Sequence, residues 1–107
     1  MPIKREQIIK PVLPVEELVI VEIGPDPVLV HALRQRVIMS LQDKATAANV
    51  AWDIALIHEG VRAEDGEPVY TLNEWEDFQA ANRKAYKRII DRLAILNGLA
   101  PDENEKN

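Results

Sequence analysis

The chain predicts a small single α+β domain, mostly helical, with a β-hairpin near its N-terminus. Three observations carry that expectation. Leu18-Val19-Ile20-Val21-Glu22-Ile23 is rich in β-branched residues and is stopped by Gly24-Pro25-Asp26-Pro27. From about Arg34 onward the apolar residues recur at helical spacing for most of the chain. Between those helical stretches, Val61-Arg62-Ala63 and Pro68-Val69-Tyr70 flank Glu64-Asp65-Gly66-Glu67, a short second hairpin or turn around 61–70.

Each element has its own signal. Residues 1–15 carry Pro2, Pro11 and Pro14, which oppose both helix and central strand. Ile8, Ile9, Val12, Leu13 and Val15 are nevertheless apolar, so this segment reads as an extended arm lying on its own core or on a partner's. The strand over 18–23 comes next. Two readings of residues 27–33 stay open. Asp26-Pro27 suits the N-cap and first residue of a helix running to Gln42. Val28 to Ala32 also suits a returning strand, with Ile23, Val21 and Val19 facing Val28, Val30 and Ala32. β-Branched residues at i and i+2 favour the strand.

A helix then starts near Arg34 on Leu33, Val37, Ile38 and Leu41. Thr46 or a neighbour caps the next, whose body from Ala47 to Ile57 is apolar nearly all round and therefore central. Gly60 ends it in the C′ role. Thr71 or Asn73 caps a further helix, with Glu74, Glu76 and Asp77 favoured in its first turn by the helix dipole. Trp75, Phe78, Ala85, Tyr86, Ile89, Leu93 and Leu96 form one stripe, with Trp52 also assigned to the core. Asn82 interrupts that stripe and leaves open a break into two helices. Asn97-Gly98-Leu99 and Pro101 stop the last one. The organisation expected is an arm at 1–15, one domain at 16–99 and a frayed polar tail at 100–107.

Composition narrows the function. At 107 residues and 47% apolar content the chain can bury one core. It has no cysteine, which excludes disulfides, thiolate metal sites and cysteine nucleophiles. Thirteen Lys and Arg against 18 Asp and Glu leave a net charge of −5, a poor match for general duplex DNA binding. No apolar run reaches the length of a signal-peptide core or a membrane span, so a soluble cytoplasmic protein is expected, with no membrane partner.

No chemical constellation stands out. Asp53, five residues before His58-Glu59, is off the i, i+3 or i+4 spacing of a helical metal or base site, and His58 is read as meeting the helix C-terminal carbonyls. His31 is read as a half-exposed strand residue. Ser40 lacks a nucleophile motif. Glu64-Asp65-Gly66-Glu67 lacks the ligand spacing of a calcium loop. Arg83, Lys84, Lys87, Arg88 and Arg92 gather charge on the last helix. A solvated face is the first reading, an acidic protein partner the second and nucleic acid the third. No catalytic activity, metal or cofactor is expected.

The order of features is more informative. Lys10-Pro11-Val12-Leu13-Pro14-Val15-Glu16-Glu17, the hairpin, two helices, the Glu64-to-Tyr70 turn, the Trp/Phe helix and Leu96-Asn97-Gly98-Leu99 together resemble the tail assembly chaperones of long-tailed, siphovirus-type bacteriophages and prophages. The resemblance spans roughly residues 10 to 99. The family more often has a Gly-Gly turn where this chain has Gly24-Pro25-Asp26-Pro27. The resemblance implies a non-enzymatic holdase for the tape-measure protein, the long helical chain that sets tail length. It implies self-association, action in the host bacterial cytoplasm, absence from the mature virion, and the tail tube protein as a further partner. Many members come in a short and a frameshifted long form, and this chain looks like the short one.

A holdase needs exposed apolar surface. The expected partner-binding residues are Ile8, Ile9, Val12 and Leu13 on the arm, with Leu18, Ile20 and Leu29 as spare faces of the hairpin. The competing readings are a structural tail-completion or connector protein and, third, a nucleic-acid-binding regulator.

Overall fold

The computed structural model describes residues 1–101, so most of the expected polar tail lies outside the described residues. Two strands open the domain. β1 (Val15–Leu18) and β2 (Val28–His31) pair antiparallel, with Val15 opposite His31 and Leu18 opposite Val28. Residues 28–31 are therefore strand, the alternative that β-branching favours. Val28 and Val30 point into the core while Leu29 and His31 stay half-buried on the outer face.

The first strand is displaced from its expected place. The β-branched run of 18–23 lies mostly beyond β1, and the register that pairs Ile23 with Val28 is not formed. The cause is local. The N–H groups of Ile23 and Gly24 both donate to the Ile20 carbonyl, at 2.8 and 3.0 Å, which turns the chain. Pro25 and Pro27 have no N–H to give to a ladder. Pairing begins only where both strands can donate. The face parity changes with it: Leu18 and Ile20 go inside, while Val19 and Val21 are exposed.

α1 (Gln35–Ala48) succeeds β2 and ends at Asn49, whose φ of 56° and ψ of 46° place it in the left-handed region. Asparagine tolerates that conformation better than most residues. The expected helix over 47–57 is thus split. Thr46 lies inside α1, where its hydroxyl accepts from Gln42, and it caps no helix. α2 (Trp52–Gly60) contains Ile54, Ala55, Leu56 and Ile57, four consecutive buried residues, as an all-round apolar central helix requires.

Gly60 is the last residue of α2 and has no positive φ, so it is not a left-handed C′ residue. It is glycine because α4 crosses there: a Cβ at Gly60 would collide with Leu93 Cδ2. β3 (Val61–Arg62) begins at once and pairs with β2, giving a three-stranded antiparallel sheet in the order β1-β2-β3. Arg62 also bridges Pro68, and Gly66, with φ of 86°, closes the turn between them.

Thr71 caps α3 (Leu72–Ala81). Its hydroxyl accepts from the Glu74 N–H at 3.2 Å, while the Glu74 carboxylate accepts from the Thr71 N–H at 2.9 Å. Asn82 is non-helical and breaks the stripe before α4 (Arg83–Leu96). α2 and α4 cover one face of the sheet, α1 packs on α2, and α3 closes the far side against α2 and α4. Trp75 sits wholly buried in an aromatic group with Tyr70 and Phe78. Trp52 is only partly buried at the core's margin.

Candidate functional site

The arm before β1 stands off the body. All residues from Met1 to Val15 are exposed, and only a single 3-10 turn at Arg5–Gln7 interrupts the extended chain. Among the expected contact residues, Ile9 and Val12 are 90% and 83% exposed, and Ile8 and Leu13 about half exposed. The Pro14 carbonyl accepts from the Ala32 N–H at 2.9 Å, which continues the β1–β2 ladder and sets the direction in which the arm leaves.

The hairpin differs from expectation. Leu18 and Ile20 are core residues, with Ile20 only 1% exposed, and are not spare apolar surface. They belong to the buried core cluster because the strand parity is the reverse of the one read from the β-branched run. Leu29 is half-buried on the outer sheet face. The exposed apolar residues of this region are Val19 and Val21, which the sequence placed inward. The available signal was Pro25 and Pro27: two residues unable to donate argue for a wide loop rather than a tight hairpin.

The polar groups are engaged in packing. Lys44 on α1 pairs with Glu59 on α2, and Arg62 on β3 pairs with the same carboxylate at 3.2 Å. His58 presents Nδ1 to the Lys44 ammonium at 3.2 Å, so the ring meets a cation from α1 and not the helix C-terminal carbonyls. A lysine ammonium has only donors, and Nδ1 must therefore be unprotonated. Burial, and then the charge of Lys44, lowers the His58 pKa. Burial alone would raise the Glu59 carboxyl, but the Lys44 hydrogen bond and the nearby cations outweigh it and hold it below its ordinary value.

Asp53 accepts from the Tyr86 hydroxyl at 2.7 Å, tying α2 to α4. His31 is half-buried, and burial followed by the Arg62 charge lowers its pKa. The Ser40 hydroxyl donates to the Val37 carbonyl. The basic stretch of α4 is divided: Arg92 forms a two-pronged pair with Glu16 on β1, at 2.9 Å for each nitrogen, and Lys87 pairs with Asp91 at 2.8 Å. Among the described residues no cluster of carboxylates and histidines could hold a metal, and no helix is long and apolar enough to cross a membrane.

These features define a small α+β domain with an apolar arm outside its core and further exposed apolar side chains at Val19, Val21 and Met39. No family model and no curated protein matches the sequence. The fold is shared with the tail assembly chaperone of bacteriophage HK97, at a TM-score of 0.58 over 89% of this chain and 91% of that one. The two sequences are 16% identical, so the likeness is one of fold. It is the fold of the family that the order of sequence features resembles.

Proposed function

We propose that the protein is a phage tail assembly chaperone that binds and shields the tape-measure protein while the tail is built. The observation that carries this reading is an apolar arm held away from a folded body that has the architecture of the HK97 chaperone. An amphipathic helical client exposes an apolar stripe until it is assembled, and Val12 and Leu13 offer that stripe a matching surface in reach of the domain. Pro11 and Pro14 have no N–H to donate, so the arm before Pro14 is a poor edge strand, which limits unwanted strand addition. The role is one of binding in the host bacterial cytoplasm, without catalysis and without a place in the mature virion.

The test is co-expression with the tape-measure protein encoded nearby. The client is expected to be insoluble alone, and soluble and co-purified in the presence of this chain. A Val12→Ser/Leu13→Ser variant is expected to keep its fold and lose most of that effect. Unchanged client solubility with no co-purification overturns the reading, and the chain is then sought in purified virions as a structural tail component.

A further inference from the structure

A groove of about 970 Å³ lies at the hairpin-loop end of the sheet, between the 23–27 loop and the 63–69 turn. Its floor is apolar, with half-buried Ile23, Leu29 and Val69. Its lining passes from Glu17 on β1 to Leu29, the cross-strand partner of Glu17 on β2, and on to Ala63 just after β3. The groove therefore runs across the strands. An extended segment laid across them could not continue their ladder. A helix satisfies its own backbone hydrogen bonds and needs only side-chain contacts there. A helix roughly 10 Å across fills the groove in about two turns.

The rim specifies the charge of that helix. It carries the exposed carboxylates of Glu17, Asp26, Glu64, Asp65 and Glu67, and no lysine or arginine lines the groove. Among the described residues none of these five carboxylates is in an ion pair. Arg62, opposite Leu29 in the ladder, is taken up by Glu59 at 3.2 Å. Unopposed carboxylates around a low-dielectric floor focus a negative potential, which draws in cationic segments and repels anionic ones.

We infer that the groove takes a cationic amphipathic helix of the client. The apolar stripe of about two turns lies on Ile23, Leu29 and Val69, and flanking lysines or arginines meet the carboxylate rim. That the client supplies this helix rests on the tape-measure reading; the chemistry of the groove does not. The groove sits at the Leu18–Val28 end of the hairpin, whereas the arm leaves from the other end, past the contact of Pro14 with Ala32. The client is thus held at two separate places. Val12 and Leu13 offer one apolar contact, and the groove selects the positively charged stretch.

The test is fluorescence anisotropy of the full chain with labelled peptides of about 15 residues, leucines at helical spacing and lysines elsewhere, or glutamates in place of the lysines. The lysine peptide is expected to bind, and more weakly at high salt. The glutamate peptide is expected to bind at least about tenfold more weakly. Glu64→Lys/Glu67→Lys on the rim is expected to weaken the lysine peptide at least about tenfold. Glu76→Lys/Asp77→Lys on α3 makes the same change in net charge away from the groove and is expected to leave binding within about twofold. All four positions are exposed, so both variants are expected to fold, which circular dichroism verifies.

No binding of the lysine peptide overturns the inference. So does equal binding of the glutamate peptide, or equal weakening by both charge reversals, which would mark attraction to bulk charge. Binding that appears only after residues 1–10 are deleted assigns the groove to the arm and also overturns it. In co-expression, the rim variant is expected to recover less client than the wild type. A client recovered equally by both overturns the inference and leaves the tape-measure reading standing. A client that neither recovers overturns that reading, and the peptide titration still decides whether the groove takes a cationic helix.

Discussion

Gly60 and Asn97 show how single positions decide the packing. Gly60 lets α4 approach α2 until Leu93 fills the space where a Cβ would stand. Gly60→Ala is expected to lower stability by about 1–3 kcal/mol, the cost of overpacking a close contact, seen as a reduced urea midpoint with an unchanged slope. Asn97 closes α4 and reaches the end of β2. Its Oδ1 accepts from the Leu33 N–H at 2.6 Å, and its Nδ2 donates to the carbonyls of His31 and Leu93 at 3.3 and 2.9 Å. Asn97→Ala leaves the part-buried Leu33 donor unpaired and is expected to cost about 1–3 kcal/mol, measured by the same urea titration. Asn97→Asp keeps the acceptor and is expected to recover part of that loss. In the sequence Asn97 reads only as a stop signal, since its partners on β2 and at Leu33 lie more than sixty residues away in the chain.

At the scale of elements, the Lys44–Glu59–Arg62 group joins α1, α2 and β3, and its pH response comes from the direction of each shift. Burial first, and then Lys44, lowers the His58 pKa in the folded protein. The unfolded chain therefore binds more protons just below 6.5, the ordinary histidine value, and stability falls as the pH drops through that window. His31 acts in the same sense. The Glu59 carboxyl is held below its ordinary value of 4.5, so its contribution is present above that pH and is lost as the pH falls through the folded pKa. Two separate losses are expected on acidification, one below about pH 6.5 and one below about pH 4.5. Thermal melts across pH check this. His58→Gln is expected to flatten the first loss, and Glu59→Gln to reduce the second. A stability profile that is level between pH 7 and 5 contradicts the histidine assignment.

At the scale of the whole molecule, the body and the arm are energetically separate. The radius of gyration is 15.7 Å, against about 13 Å for a compact chain of this length. No residue of 1–10 is buried, so their removal takes little apolar area from the core. Deleting residues 1–10 is expected to change stability by less than about 0.5 kcal/mol, while replacing core Trp75 with Ala costs about 3–5 kcal/mol. Calorimetry of the two variants makes the comparison. A large loss of stability on deleting the arm would show that it packs against its own domain.

Local chemistry alone determined much of this protein. The helical stripe through Trp75 and Leu93, the Thr71 cap, the break at Asn82 and the turn at Gly66 were legible because each depends on residues within a few positions of one another. The order of features that resembles tail assembly chaperones was legible as a succession of such local signals. Three matters were decided only in the tertiary structure. The left-handed turn at Asn49 divided a continuous apolar stretch that periodicity alone joins. The pairing of β3 with β2 depends on α2 bringing Val61 opposite Val30. The hairpin register, and with it the burial of Leu18 and Ile20, was set by which strand face could join the common core. A β-branched run has two faces of nearly equal apolar character, so its residues cannot say which one turns inward; the helices packed against it do.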